Sequence, residues 1–177
     1  MTRLTEHNWL DHGLRVLAKS GYANLKAATM AQDLGVSRGS FYWHFEDIHD
    51  FKRRLLGHWQ RHTTDAIIAQ MQSQDRDTQR LAELMIRAYS TNPHLDRAVR
   101  SWADHDAQVR KQLTKVDRLR LAYIRDLLLG AGIDAEEAAT RARLIYAASL
   151  GDAAIAPKAA PPLSELDLQY LASILSQ

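Results

Sequence analysis

The 177-residue chain contains no cysteine, only four prolines and eight glycines, and no long apolar run. The absence of cysteine excludes disulfides, thiolate metal sites and cysteine nucleophiles, and it fits a cytoplasmic protein. No stretch approaches the roughly 18 consecutive apolar residues that cross a membrane. The N-terminal segment is polar and periodic, unlike a signal peptide. We therefore expect a cytoplasmic globular protein without a membrane partner.

The charge of the chain is nearly balanced, with 23 Lys and Arg against 21 Asp and Glu and a net charge of +2. This net charge is too small to indicate a nucleic-acid partner by itself, so a surface for such a partner must be local. Apolar residues make up 46% of the chain and charged residues 25%, which is typical of a globular protein with a core.

Apolar residues recur every three or four positions through almost the whole chain, and strand-like alternation is absent. This spacing predicts an all-α protein of about nine helices, with caps and glycines marking the boundaries. The predicted helices cover residues 5–19, 26–34, a short segment after Ser37, 47–72, 78–90, 93–103, a long segment from about 109 to 130, 135–153 and 163–175.

The segment GVSRGSFYWHF, residues 35–45, places four aromatic rings and a histidine directly behind a Ser-Arg-Gly-Ser sequence. Two short helices joined by a turn at Gly35 predict a helix-turn-helix, whose second helix lies in the DNA major groove. Phe41 and Phe45 are four residues apart, so they share a helical face and are predicted to pack inward against Leu14, Leu17 and Met30. The remaining residues of the segment are predicted to face a duplex.

Each of these outward residues suits a different part of DNA. Arg38 suits a guanine edge or a phosphate, and Gly39 allows the backbone to approach the duplex closely. Trp43 offers a flat face to a thymine methyl group or a sugar. Hydrogen bonds to phosphates are predicted from Ser37, Ser40, Tyr42 and His44.

The sequence from Met30-Ala31 through Leu34–Phe45 resembles the head signature of the tetracycline-repressor (TetR) family, over roughly residues 9–56. This resemblance implies a homodimeric transcriptional regulator, a repressor, which a small-molecule effector releases from double-stranded operator DNA. It also implies a DNA-binding head at residues 1–46 and an effector-binding and dimerisation domain at 47–177. The helix over 47–72 connects the two, and the helices over 135–153 and 163–175 form the dimer interface.

Two features depart from the family pattern. Lys26 and Ala28 occupy positions where family members often carry Thr or Ser and another polar residue; Lys26 is still predicted to reach a phosphate. Ile48 stands where the fourth helix of family members commonly opens with a lysine, and three acidic residues crowd the same turn at residues 46–50, where they would oppose phosphates. Nine Lys or Arg face six Asp or Glu over residues 1–62, so we expect DNA binding of moderate strength.

The resemblance places an effector pocket among the later helices, and such pockets are mostly apolar with a few polar groups. For Arg120, a structural ion pair with Asp117 is favoured over a grip on an acidic effector. No cofactor is expected. The residues predicted to line the pocket are Trp59, His62, Tyr89, Trp102, His105, Arg120 and Tyr123.

His58 and His62 have an i, i+4 spacing that metals can use, but no third ligand and no His-Glu-x-x-His pattern is visible. Polar packing or a place in the lining of an effector pocket is therefore favoured, and no metal site is predicted. A small helical enzyme is a weak alternative, since no nucleophile, metal motif or phosphate loop is recognisable, and no catalytic residue is predicted. A helical interaction protein whose head does not read DNA is a further alternative, supported only by the acidic turn at residues 46–50.

Overall fold

Helices make up nearly all the secondary structure in the computed structural model, which describes residues 4–71, 77–90, 93–152 and 161–177. No strand occurs within these ranges, so the all-α prediction is confirmed. None of the helices described is long and apolar enough to cross a membrane. They are α1 (Glu6–Ser20), α2 (Ala27–Asp33), α3 (Arg38–Tyr42), α4 (Ile48–Gln60), α5 (Ala66–Met71), α6 (Asp77–Ser90), α7 (Pro93–His105), α8 (Ala107–Gly130), α9 (Ala135–Asp152) and α10 (Glu165–Leu175).

The helix predicted over residues 47–72 is interrupted by a π-helical turn at Arg61–Asp65, between α4 and α5. A π turn inserts an extra residue into the helical repeat and has no simple sequence signature. If α4, the π turn and α5 are counted as one rod, the described residues contain the predicted nine helices. Residue 72, the predicted cap at residue 92 and the predicted helix end at residue 153 lie outside the described residues.

Side-chain caps explain where several helices begin. Thr5 and Asn8 form a capping box at the start of α1, and Asp47 accepts hydrogen bonds from two backbone N–H groups at the start of α4. Ser164 and Asp167 form a second capping box. Because this box fixes the first turn, α10 begins at Glu165, two residues later than the apolar pattern predicts.

The turn between α2 and α3 depends on Gly35, whose φ of +65° lies in the left-handed region that favours glycine. The N–H groups of Gly35 and Val36 donate to the carbonyls of Gln32 and Ala31, each at 3.0 Å. These bonds use carbonyl groups that the end of α2 would otherwise leave unsatisfied. The two short helices and this turn form the predicted helix-turn-helix.

Packing divides the chain into two compact units. Unit 1 comprises Met1–His62 and His94–Thr114, and unit 2 comprises Thr63–Pro93 and Lys115–Gln177. The division by packing therefore groups α4 with α1, α2 and α3. It does not test whether residues 1–46 and 47–177 act as separate functional domains, which stays a prediction.

Four aromatic side chains form the centre of unit 1. Phe41 lies 5.4 Å from Trp9, 5.0 Å from Phe45 and 5.4 Å from Phe51, measured between ring centroids. All four rings are buried. Phe41 and Phe45 therefore face inward, as their spacing predicts, and the rings of α1, α3 and α4 stabilise one another.

Gly13 allows α1 to approach α4 closely. A Cβ atom at this position would lie 2.6 Å from Phe51 Cζ and 3.1 Å from Leu55 Cδ1. We expect Gly13→Ala to lower the free energy of unfolding by about 1–3 kcal/mol, because a rigid buried ring must move. Gly57→Ala on α4 is the control, since its Cβ would meet only Arg61 Nη1, at 3.4 Å. Urea denaturation should show the control unchanged or slightly stabilised; equal stability of the two variants would contradict the close packing.

The core of unit 2 is formed by α6, α8, α9 and α10. Arg141 Nη1 donates to the carbonyl of Leu175 at 2.8 Å and so ties α9 to the end of α10. The small residues Ala138 and Ala142 are buried, which brings α9 close to its neighbours. The other buried members of this core are Leu81, Met85, Ile124, Leu128, Ile133, Ile145, Tyr146, Leu168 and Ala172.

Candidate nucleic-acid interface

Helix α3 divides into a buried and an exposed face within five residues. Phe41 is fully buried, whereas Tyr42 is 45% exposed and Trp43, the C-cap residue that follows the helix, is 70% exposed. Arg38 at the start of the helix is also exposed. Large exposed rings beside a cation are uncommon on a solvated surface and indicate a contact face.

Arg38 and Tyr42 form a pair one helical turn apart on this face. The Nη2 group of Arg38 donates to the Tyr42 hydroxyl at 3.0 Å, and its guanidinium carbon lies 5.4 Å from the ring centroid. The pair orders a long side chain before any partner binds. An ordered guanidinium loses less conformational entropy on binding a base edge or a phosphate.

Three small residues at the start of α3 leave its backbone accessible. Ser37 occupies the N-cap position, but its hydroxyl makes no capping hydrogen bond. A Cβ atom added to Gly39 would meet only Ser37 Oγ, at 3.7 Å, so the fold does not require glycine there. Ser40 is half-buried on the next turn. These residues stay predicted DNA contacts.

His44 has a structural contact that its sequence position did not reveal. Its Nε2 atom donates to the carbonyl of Leu4 at 2.9 Å and anchors the segment before α1 to the end of α3. A phosphate contact from His44 stays a prediction. Lys26 lies at the N-cap position of α2 and is exposed, as a phosphate contact requires.

The acidic turn before α4 exposes less negative charge than the sequence indicated. Asp50 is buried and accepts hydrogen bonds from the side chains of Arg53 and Arg54 and from the backbone of Glu46. Arg54 also binds Glu6 at 3.2 Å. Asp50 therefore does not face solvent, and two of the counted arginines, Arg53 and Arg54, are paired with it.

Asp50 should make the stability of the protein dependent on acidic pH. Burial raises the pKa of this carboxyl, but hydrogen bonds from Arg54 and the Glu46 backbone outweigh burial and hold the pKa below its ordinary value. The ionised form is thus the stabilising one, present above about pH 4 and lost as pH falls through the lowered pKa. We expect Asp50→Asn to lower the free energy of unfolding by about 1–3 kcal/mol at pH 7.

Urea denaturation of the wild type and Asp50→Asn from pH 7 to pH 2.5 measures this effect. The stability difference should shrink as pH falls below about 4. A constant difference over the whole range would mean that the ionisation of Asp50 contributes nothing to folding.

Four of the predicted pocket residues lie in unit 1. Trp59 is fully buried and donates from Nε1 to Asp96 at 3.1 Å. The ring of Trp102 is stacked with Tyr22 at 6.1 Å, and His105 lies 5.7 Å from the same tyrosine ring. His62, the fourth, is exposed. The two tryptophans have well-defined packing roles, and a role in effector binding stays a prediction for all four.

The other three, Tyr89, Arg120 and Tyr123, lie in unit 2. Arg120 donates to Thr64 Oγ1 at 3.0 Å, Thr63 Oγ1 at 3.1 Å and the Tyr146 hydroxyl at 3.4 Å, and Tyr146 donates to Asp117 at 2.7 Å. Burial raises the pKa of Tyr146 to about 12, so the phenol remains protonated as a donor. The Tyr146 hydroxyl thus contacts both Arg120 and Asp117, the residues that the sequence predicted to form an ion pair.

Unit 2 also contains an open groove between α6 and α10 with a volume of about 610 Å³. Five of its seven lining residues have polar or charged side chains. None of the predicted pocket residues lines it. The lining residues are Gln79, Ala82, Glu83, Ile86, Arg87, Glu165 and Gln169.

Asp11 is a third potential metal ligand, which the sequence did not reveal. It lies close to His58 in α4 and to His62 in the π turn. Asp11 on α1 accepts a hydrogen bond from His58 Nε2 at 2.7 Å. The rings of His58 and His62 lie 4.2 Å apart, and His7 approaches His58 edge-on at 5.8 Å. Burial lowers the pKa of His58, with the Asp11 bond opposing this effect, so the ring is neutral at pH 7.

Comparison with known families identifies the helix-turn-helix region. Residues 10–51 match the family model described as bacterial regulatory proteins, tetR family. This range contains α1, α2, the turn at Gly35, α3 and the first residues of α4, as expected from the sequence. No curated protein sequence matches the chain.

Solved structures with the same fold cover almost the whole chain. A TetR transcriptional regulator from Legionella pneumophila has a TM-score of 0.77 and 16% identity, covering 99% of this chain and 97% of its own. A TetR transcription regulator from Haloarcula marismortui has a TM-score of 0.74 and 17% identity, covering 97% and 95%. The regulator FadR from Bacillus subtilis, in complex with stearoyl-CoA, has a TM-score of 0.69 and 14% identity, covering 97% and 96%. The TM-scores establish a shared fold, and at these low identities the similarity shows the fold alone.

Proposed function

We propose that α3 binds double-stranded operator DNA and that the protein regulates transcription, since residues 10–51 match the family model of the tetR bacterial regulatory proteins. The observation that carries this proposal is the division of α3, with Phe41 buried and Arg38, Tyr42 and Trp43 exposed. Sequence is read by side chains that reach base edges from a helix in the major groove. An operator-binding role also fits the cytoplasmic location expected from the cysteine-free sequence.

The accessible backbone at the start of α3 supports the same function. The fold tolerates a side chain at Gly39, so its glycine suits a partner that approaches closely. Gly39→Ala should therefore weaken DNA binding while leaving stability unchanged or slightly increased.

Arg38 should contribute specific affinity without contributing to folding. Arg38→Ala is expected to reduce the free energy of operator binding by about 1–3 kcal/mol, the range for loss of a base contact. Its thermal midpoint should stay close to that of the wild type, because the pair with Tyr42 lies on the surface. Fluorescence anisotropy with labelled duplex measures the affinity. Arg118→Ala, an exposed arginine on α8, is the control and should bind normally; equal affinity of both variants would remove Arg38 from the interface.

A gel-shift assay with DNA that flanks the protein's own gene tests the function as a whole. A specific shift, resistant to competitor DNA of unrelated sequence, is expected. The alternative of a helical interaction protein predicts no specific shift. That alternative rested on the acidic turn, and it is weakened because Asp50 is buried and paired.

A homodimer through α9 and α10 completes the proposal. Leu166, Tyr170 and Ile174 are 76%, 67% and 45% exposed at successive i, i+4 positions of α10, and Leu144 on α9 is 60% exposed. Such an apolar stripe on a single chain indicates a protein contact. A two-fold interface uses the same patch on both subunits, and it presents two recognition helices to one duplex.

We further propose that a small molecule bound in the region after residue 47 weakens operator binding and so relieves repression. The FadR regulator of Bacillus subtilis, which shares this fold, forms a complex with stearoyl-CoA. Coupling between two sites is reciprocal and typically amounts to about 1–3 kcal/mol. Calorimetry of an identified effector with and without operator should therefore give affinities that differ several-fold to a hundredfold. Equal affinities would remove this mechanism.

A further inference from the structure

Three side chains of unit 1 form a compact group of metal-binding atoms. Asp11 lies on α1, His58 on α4 and His62 in the π turn that follows α4. Each side chain offers one ligand atom, and these atoms lie within 4.8 Å of one another. Ligands of tetrahedral Zn²⁺ lie about 2.0–2.2 Å from the ion and so roughly 3.3 Å from each other. The two exposed side chains, Asp11 and His62, must rotate to bring the three groups to these distances.

The buried histidine has more hydrogen-bonding capacity than its protein surroundings use. His58 is 1% exposed, and its Nε2 atom donates to Asp11. Its Nδ1 atom is buried and has no hydrogen-bond partner among the described residues. Because the Nε2 proton is directed to Asp11, Nδ1 keeps the lone pair of the neutral ring, and a bound ion is one partner for this buried lone pair.

The helix geometry around the group also departs from the regular form. The π turn Arg61–Asp65 begins just before His62, and the rings of His58 and His62 lie 4.2 Å apart. π turns within α-helices frequently occur at functional sites. Asp11 and His62 are both exposed, so an ion has access from solvent and these two side chains can rotate toward it.

We propose that Asp11, His58 and His62 bind one divalent transition-metal ion of the zinc class. Two imidazoles and one carboxylate are a donor set typical of Zn²⁺ with an open fourth position for water. Ca²⁺ and Mg²⁺ prefer sites built from oxygen ligands, which this group does not supply. The ion links α1 to the end of α4 in the unit that contains α3. The binding event itself is independent of the DNA-binding function.

The test uses the full chain, prepared without a polyhistidine tag and stripped of metal by a chelator that is then removed. Calorimetric titration with Zn²⁺ alone should show one ion bound per chain. Co²⁺ alone should give visible absorption bands, and excess Zn²⁺ should remove them. His62→Ala and Asp11→Asn alter exposed side chains and should remain folded. Because loss of a mere supporting residue costs about 10–100-fold in metal affinity, each variant should bind at least about tenfold more weakly.

His49→Ala is the matched control, since His49 is an exposed histidine at the start of the same α4 helix. It should bind Zn²⁺ like the wild type. Zn²⁺ should also raise the thermal midpoint of the wild type and of His49→Ala, but not that of His62→Ala. Absence of stoichiometric binding, or equal binding by the wild type and His62→Ala, would overturn the proposal.

Discussion

Replacing Phe41 by alanine should destabilise the protein by about 3–5 kcal/mol, one of the largest effects expected from any single substitution in the chain. The ring is fully buried and contacts Trp9, Phe45 and Phe51 at 5.0–5.4 Å between centroids. Its removal leaves a cavity where α1, α3 and α4 meet, and rigid neighbouring rings cannot close it. Urea denaturation followed by circular dichroism measures the loss.

Trp43→Ala is the control for this prediction, because it removes an even larger ring only two residues away. Trp43 is 70% exposed, so its loss should change stability by no more than about 0.5 kcal/mol. The DNA affinity of the folded protein should show the opposite order. Trp43→Ala should bind DNA much more weakly than folded Phe41→Ala. A variant Trp43→Ala that melts early and binds DNA normally would reverse the assignment of the two faces of α3.

Charged residues on α10 should separate the proposed dimer into monomers. The double substitution Leu166→Glu and Tyr170→Glu places like charges from both subunits in a two-fold interface. Light scattering should change from twice the 20.1 kDa chain mass to the single mass. Because two linked recognition helices bind one duplex together, operator affinity should fall by a factor of about 10²–10⁴.

The monomer should remain folded, since Leu166 and Tyr170 are 76% and 67% exposed. Leu119→Glu, on α8 and 38% exposed, is the control and should stay dimeric. A wild-type chain that is already monomeric at micromolar concentration would count against this interface. So would a double variant that remains dimeric.

The sequence predicted those parts of the fold that depend on neighbouring residues. Thr5, Asp47 and Gly35 marked helix ends because caps and left-handed turns act over one helical turn. The i, i+4 spacing of Phe41 and Phe45 predicted the buried face of α3 for the same reason. The later start of α10 shows the limit of apolar spacing, since the Ser164 and Asp167 side chains fix that boundary.

Local sequence patterns could not predict contacts between residues that are far apart in the sequence. Asp11 and His58 are 47 positions apart, and only the packing of α1 on α4 joins them. For the same reason the sequence indicated two metal ligands and favoured ordinary packing. His44 and Leu4 are 40 positions apart. The sequence shows only the formal charge of the acidic turn, whereas burial and contacts with two arginines determine the pKa of Asp50.

We propose that α3 reads DNA sequence as part of a two-fold dimer. Selection of duplexes from a random-sequence pool by the wild-type protein tests it directly, because the pool contains every candidate half-site. The expected result is an enriched inverted repeat whose half-sites lie one turn of B-DNA apart, about 34–36 Å, or a multiple of that distance. Arg38→Ala should recover this sequence poorly or relax one position of each half-site. Failure of the wild type to enrich any sequence, or identical enrichment by Arg38→Ala, would contradict the claim.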